Sequence, residues 1–156
     1  MPPYNVFIAY GGKHGEAVAR FVAECLRNNG MRPRIALPGA IGEIPLDRQE
    51  EIFEIEGRCD AIVAVYTKGT HRSVKFIGEV ERALYRFRIP VVAFVQKRSR
   101  VLHILNSGAT KVGFGQRQYR RKCDELVCRV RRSIFYSRTA SHLPIGQRLP
   151  RRVFYG

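Results

Sequence analysis

Apolar runs separated by amphipathic segments dominate the pattern of this chain. Continuous apolar runs of this length are typical of strands that are buried on both faces of a sheet. They occupy residues 6–10, 59–66 and 90–95, and shorter strands are predicted at 32–37 and 112–114. The hydrophobic pattern therefore predicts five strands, with the most apolar ones in the middle of a sheet.

The segments between these strands carry apolar residues at helical spacing. Helices are predicted at about 17–26, 52–57 and 74–87, with Gly30 ending the first and Ser73 capping the third. A last helix is predicted from about Gln118 to Tyr136, with its arginines turned away from the apolar stripe. Residues 38–45 are so rich in glycine and proline that they are expected to form a loop.

Alternating strands and helices predict an α/β fold: an open parallel five-stranded sheet with helices on both faces. This number of strands suits the flavodoxin-like order 2-1-3-4-5, in which the ligand crevice lies at the carboxyl ends of the first and third strands. Residues 10–14, the loop 37–46 and the segment 67–73 would line it. We expect one domain over 1–136 and a basic C-terminal tail over 137–156.

Positive charge is concentrated in the second half of the chain. The 28 lysines and arginines outnumber the 13 acidic residues, for a net charge of +15, and residues 97–156 hold 15 of those basic side chains but only Asp124 and Glu125 as acids. Such an excess favours an anionic partner for the C-terminal half, either a nucleic acid, an anionic membrane surface or an acidic protein. An arginine-rich surface with no such partner is the alternative.

The composition is that of an ordinary globular chain, with 45% hydrophobic and 26% charged residues among 156. Neither a secretory signal nor an apolar run near the roughly 18 residues of a membrane-spanning helix is found, so a soluble, cytoplasmic protein is expected. The four cysteines lack the spacing of a zinc site, and no metal is predicted. They are expected to be reduced, buried thiols.

Common nucleotide-binding motifs are missing. Gly12-Lys13 lacks the remaining residues of a P-loop, and Gly113 and Gly115 neither follow the first strand nor precede a third glycine. No carboxylate follows the first strand, where a phosphorelay receiver domain needs one. These absences exclude P-loop NTPases, Rossmann dehydrogenases and receiver domains.

Four acidic residues fall near the predicted crevice: Glu43, Asp47, Glu79 and Glu81. Glu79 is closer than Glu81 to the N-terminal end of the third helix, the end that faces the crevice in a parallel α/β unit. The apolar neighbour Phe76 would raise the pKa of the Glu79 carboxyl. Glu79 is therefore a candidate for acid–base chemistry, and a solvated helix glutamate is the alternative that spacing alone favours.

The order of three segments resembles a Toll and interleukin receptor (TIR) domain of the compact bacterial and archaeal type. The segments are VFIAY at 6–10, Pro38-Gly39 in the long loop, and CDAIVAVYTKGTHRSVKFIGEVERAL at 59–84, in which Glu79 follows Ser73 by six residues. The resemblance covers about residues 5–96. Lys75 stands where the family often has an aromatic residue, and Ala9 or Gly11 replaces a first-strand serine.

The resemblance implies a signalling or defence protein that cleaves the nicotinamide–ribose bond of NAD, with NAD as substrate and no resident cofactor. It also implies a homo-oligomer, because the 37–46 loop commonly completes a neighbouring site in that family. One carboxylate suffices for this chemistry, since nicotinamide is already cationic and leaves without protonation. Glu79 would then orient the ribose and stabilise an oxocarbenium-like centre.

Side chains and amides at the strand ends would complete the site. Tyr10 or Tyr66 would stack on a ring, the amides of Gly11 and Gly12 would hold a pyrophosphate, and Lys13 would add positive charge. The remaining predicted binding residues are Pro38, Gly39 and Ser73. Strand-end packing is the alternative role of each tyrosine, and a solvated loop lysine is that of Lys13.

Three other functions remain open on the sequence alone. The first is a non-catalytic nucleotide-binding or adaptor module on the same sheet, which acts through self-association. The second is binding to an anionic partner through the basic C-terminal half. The third is an enzyme like the nucleoside deoxyribosyltransferases, which share the predicted fold and its carboxylate chemistry.

Overall fold

The computed structural model describes residues 3–36, 49–99, 110–115 and 118–140. Within these ranges five strands form an all-parallel sheet in the order β2-β1-β3-β4-β5. The strands are β1 (Asn5–Ala9), β2 (Arg32–Ile35), β3 (Ala61–Tyr66), β4 (Val91–Gln96) and β5 (Thr110–Phe114). The predicted open parallel sheet and its flavodoxin-like strand order are confirmed.

The described residues also form four α-helices: α1 (Gly12–Asn28), α2 (Gln49–Gly57), α3 (Val74–Glu81) and α4 (Cys123–Ala140). Short 3₁₀ turns, Thr70–Arg72 and Tyr119–Lys122, precede α3 and α4, and α3 continues into a π-helical turn, Arg82–Arg86. The last helix extends past its predicted end at Tyr136 to Ala140, and near this end the Thr139 hydroxyl donates to the carbonyl oxygen of Phe135 at 2.8 Å. The first four residues of the predicted tail therefore lie in α4.

The sheet separates two hydrophobic cores. Successive residues of a strand point to opposite faces, so Ile8 packs with α1 and α4 whereas Phe7 packs with α2 and α3. All six residues of β3 are buried, as expected for a central strand covered on both sides. The continuous apolar runs in the sequence are explained by this two-sided burial.

The expectation of four reduced, buried cysteines is wrong. Cys25 of α1 and Cys123 of α4 form a disulfide across a sequence separation of 98 residues, and Cys128 is exposed. Only Cys59 is a buried free thiol, and burial raises its pKa to about 12. Sequence spacing carried no signal for the disulfide, because the two helices meet only through packing on the same face of the sheet.

Candidate functional site

The start of α3 is fixed at the carboxyl edge of the sheet by a hydroxyl-rich turn. After β3, the amide of Thr67 donates to Oγ1 of Thr70 at 3.0 Å, and the two hydroxyls are also 3.0 Å apart. Ser73 then caps the helix, since its Oγ accepts a hydrogen bond from the amide of Phe76 at 3.3 Å. The predicted N-cap is confirmed, and α3 begins where β3 delivers the chain.

The loop after β1 packs directly against this helix start. Gly11 precedes α1, and a Cβ atom at Gly11 would lie 2.9 Å from Cβ of Ser73. Gly12 has φ +77°, a backbone conformation that glycine adopts without steric cost. The structure thus brings together two of the predicted segments, 10–13 and the start of α3, at the crevice between β1 and β3.

Glu79 lies in the interior rather than in solvent. Its side chain is 2% exposed, whereas Glu81, two residues further along α3, is exposed. Burial raises the pKa of the Glu79 carboxyl to about 8, although the positive charge of Lys75 lowers it in part. The alternative of a solvated helix glutamate is therefore ruled out for Glu79.

Lys75 connects the buried acid with the end of β1. Its Nζ atom lies 3.7 Å from Oε1 of Glu79, one helical turn away, and 5.2 Å from the ring centroid of Tyr10. The lysine side chain is 30% exposed, so it lies between the carboxyl and the surface. Lys75, which stands where TIR domains often have an aromatic residue, is thus the ion-pair partner of Glu79, the predicted catalytic acid.

A second buried acid adjoins this pair. Glu56 at the end of α2 is 0% exposed, and its Oε2 accepts a hydrogen bond from Nε of Arg82 at 3.1 Å. Burial raises the pKa of Glu56 to about 7, against the opposing effect of Arg82, and the charge of Glu56 also raises the pKa of Glu79. Two carboxyl groups that titrate near neutrality and influence each other are a common feature of catalytic sites.

Each of these two acids retains hydrogen-bonding capacity. Among the described residues, none donates a hydrogen bond to Oε1 of Glu56, and Oε1 of Glu79 has only the ion pair with Lys75 at 3.7 Å. A buried carboxyl oxygen without a donor is costly in free energy unless a ligand or water supplies one. The Glu79 carboxyl, with its pKa of about 8, can therefore accept or donate a proton near neutral pH.

Both candidate tyrosines pack inside the protein. Tyr66 is 0% exposed and lies edge-on against Phe76, with 4.8 Å between ring centroids. Tyr10 is 8% exposed and donates its hydroxyl proton to the carbonyl oxygen of Ala36 at 2.6 Å. The structure supports the packing role for both residues, because neither ring offers an open face for stacking.

The remaining predicted site residues fall into two groups. Lys13 is exposed on the first turn of α1, close to Gly12 at the same edge of the sheet. Pro38, Gly39 and the rest of the 37–46 loop lie outside the described residues, as do Glu43 and Asp47.

Sequence reasoning missed Lys75, Glu56 and Arg82 as neighbours of Glu79. Lys75 carried a readable signal, because residues four apart share a helix face. Glu56 carried none, since α2 and α3 approach each other only through packing on the sheet.

Two other features are absent from the described residues, a cluster of metal ligands and a membrane-spanning helix. Within them, no three His, Cys, Asp or Glu side chains come together as metal ligands would. In the same part of the chain, none of the helices has both the length and the apolar character required to cross a membrane.

Comparison with solved structures identifies this fold in other proteins. The fold of this chain is similar to that of a CMP N-glycosidase from Clostridium botulinum. The TM-score is 0.55, and the identity is 13% over 78% of this chain and 97% of that chain. The fold is also similar to that of a 2-deoxyribosyltransferase from Bacillus psychrosaccharolyticus, with a TM-score of 0.52 and 13% identity over 79% of this chain and 90% of that chain.

A diflavin flavoprotein from Nostoc gives a TM-score of 0.49 and 14% identity over 90% of this chain and 97% of that chain. No protein-family model and no curated protein sequence matches this chain. At such low identities these likenesses show the fold alone, which is an α/β fold also found in nucleoside-processing enzymes.

Proposed function

We propose that this chain cleaves the N-glycosidic bond of a nucleoside or nucleotide, with Glu79 as the catalytic residue. The observation that carries the proposal is the Glu79 carboxyl itself, which is buried, has a pKa raised to about 8, and has at its Oε1 only the 3.7 Å contact with Lys75 among the described residues. The similarity of the fold to a CMP N-glycosidase and a 2-deoxyribosyltransferase also supports it.

The protonation state of Glu79 determines which leaving group it can assist. With a pKa of about 8, the carboxyl is mostly protonated at neutral pH. A protonated carboxyl donates a proton to a base that would otherwise leave as an anion, and this is general acid catalysis. Such chemistry favours an ordinary nucleoside or nucleotide as substrate.

NAD requires the opposite protonation state. Its nicotinamide is cationic and leaves without a proton, so Glu79 would act as a carboxylate that stabilises the oxocarbenium-like ribose. The resemblance to TIR domains supports NAD as the substrate, together with a role in signalling or defence. Approach of the cationic nicotinamide would favour the ionised carboxyl, because opposite charges lower a carboxyl pKa.

Release of free base tests the proposed function directly. Purified protein at high concentration is incubated with CMP, with deoxynucleosides plus a second base, and with NAD, and the products are separated by chromatography. We expect base release from one of these substrates and a loss of about 100-fold or more in Glu79→Gln. Glu81→Gln is the matched control, because Glu81 is an exposed acid on the same helix.

The pH profile then identifies the leaving group. Activity that falls as the pH rises through about 8 indicates a protonated Glu79 and a neutral base. Activity that rises over the same range indicates a carboxylate and NAD. Base release that is equal in wild type and Glu79→Gln would overturn the role of Glu79, and no release from any of the substrates would overturn the enzymatic proposal.

Three parts of the predicted biology stay predictions. Self-association through the 37–46 loop concerns residues outside those the structure describes. A cytoplasmic location and an anionic partner for the C-terminal half await direct measurement.

A further inference from the structure

Two cavities adjoin each other at the carboxyl ends of β3, β4 and β5. The first, of about 400 Å³, lies beside the 3₁₀ turn before α3, and the second, of about 580 Å³, lies between the ends of β4 and β5. Arg98 and Ser99 line both of them, so the two cavities adjoin at these residues and are together called the cleft. Their volumes are in the range of small-molecule binding sites.

The lining of this cleft is basic and contains no acidic side chain among the described residues. The first cavity is bordered by Lys68, His71 and Arg72 in addition to Arg98. The second is bordered by three lysines, Lys97, Lys111 and Lys122, of which Lys122 also pairs with Glu125 at 3.2 Å. Cations along both cavities create a positive potential that several phosphate groups, rather than one, would neutralise.

Buried polar atoms in the cleft lack partners among the described residues. Gln96 is 6% exposed and lines the second cavity, and no described residue donates a hydrogen bond to its Oε1. Nδ1 of His71 in the first cavity is likewise buried without a described partner. An amide oxygen is suited to accept from a hydroxyl or amino group, which the sugar and base of a nucleotide supply.

The backbone at the shared wall is strained. Arg98 has φ +71°, a left-handed conformation that is unfavourable for residues other than glycine. Strain of this kind costs of order 1–3 kcal/mol and is concentrated at ligand-binding and active sites. The conformation holds Arg98 at the junction of the two cavities.

We propose that this cleft binds a nucleoside diphosphate or triphosphate. The phosphates lie against the cations around Arg98, and the nucleoside lies toward Gln96. The lining residues of the cleft do not include Glu79 or its partners Lys75 and Glu56. The site is thus distinct from the proposed catalytic cluster, and binding there requires no turnover.

Calorimetric titration of the intact chain with ADP, pyrophosphate and adenosine tests the proposal. We expect ADP and pyrophosphate to bind and adenosine not to bind. Arg72→Gln combined with Arg98→Gln should weaken ADP binding by about tenfold or more, because charge-assisted contacts to phosphate are lost. Gln96→Met should weaken the binding of ADP but not that of pyrophosphate.

Matched variants separate this site from general charge effects and from catalysis. Arg27→Gln combined with Arg132→Gln removes the same charge from exposed helix positions and should leave the affinity for ADP within about twofold. Glu81→Gln, which alters an exposed acid outside both the cleft and the proposed catalytic cluster, should bind ADP as tightly as wild type, whether or not the chain cleaves nucleosides. Thermal unfolding without ligand confirms that each variant folds.

Failure of ADP and pyrophosphate to bind at low salt would overturn the proposal. So would binding that weakens equally in the paired arginine variant and in its control, since that result indicates nonspecific charge attraction. A single-stranded oligonucleotide that binds while ADP does not would assign the cleft to nucleic acid instead. If Gln96→Met weakens the binding of ADP and of pyrophosphate equally, the proposed contact between Gln96 and the nucleoside is wrong.

Discussion

The Nζ atom of Lys75 lies 3.7 Å from Oε1 of Glu79, yet the pKa of Glu79 is raised to about 8. Desolvation of the buried carboxyl outweighs the attraction of the lysine, since the acid is 2% exposed and the lysine extends toward solvent. The charge of Lys75 therefore lowers the pKa of Glu79 only in part, because burial of the carboxyl has the larger effect.

Removal of this cation should raise the pKa of Glu79 further. Lys75→Met keeps much of the aliphatic side chain but eliminates the charge that stabilises the carboxylate. We expect the pH midpoint of base release to move upward in Lys75→Met, and to stay close to that of wild type in Lys75→Arg. An NMR titration of the Glu79 carboxyl carbon measures the same shift without turnover, and an unchanged midpoint in Lys75→Met would contradict the ion pair.

The two buried acids should make the protein less stable as the pH rises. Their folded-state pKa values, about 8 for Glu79 and about 7 for Glu56, exceed the ordinary 4.5. Between 4.5 and those values the folded state binds more protons than the unfolded state, so the free energy of unfolding falls with increasing pH.

Each acid contributes at most about 1.4 kcal/mol per pH unit. Urea unfolding of wild type and Glu79→Gln between pH 5 and 9 measures this linkage. We expect the variant to gain stability relative to wild type as the pH increases, with Glu81→Gln as the exposed control. A difference between variant and wild type that does not change with pH would show that Glu79 has an ordinary pKa.

The disulfide between Cys25 and Cys123 should stabilise the packing of α1 against α4. It closes a loop of 98 residues, and cross-links of this size restrict the unfolded chain. Replacement of both cysteines by serine should lower the free energy of unfolding by about 2–5 kcal/mol. Cys128→Ser, which alters an exposed thiol on the same helix, should change it by less than about 0.5 kcal/mol. Equal stability of the paired variant and wild type would argue against the cross-link.

The contact between Gly11 and Ser73 should tolerate no side chain. A Cβ at Gly11 would lie 2.9 Å from Cβ of Ser73, whereas a Cβ at Gly113 would meet nothing within 4 Å. We expect Gly11→Ala to destabilise the protein by about 1–3 kcal/mol, because the start of α3 must move. Gly113→Ala is the matched control and should be near neutral in thermal unfolding. Unchanged stability in Gly11→Ala would indicate that the loop after β1 shifts at little cost to accommodate the added methyl group.

The hydrophobic pattern was sufficient to predict the sheet and the helix that carries Glu79. Two-sided burial makes central parallel strands continuously apolar, and the number and order of the elements then restrict the sheet to few topologies. Ser73 as N-cap followed from local hydrogen-bonding chemistry, whereas spacing alone favoured a solvated Glu79, and only the structure showed that its side chain is buried. The strands, α3 and its N-cap depend on neighbours that are close in sequence, so the sequence pattern is enough to predict them.

Contacts between distant segments were decided only by the tertiary structure. Glu56 reaches the electrostatic surroundings of Glu79, and Cys25 meets Cys123, because helices on one face of the sheet pack side by side. The basic cleft around Arg98 depends in the same way on the ends of three strands that are far apart in sequence. Sequence patterns record which face of an element is buried, but the element it is buried against is settled by packing of the whole chain.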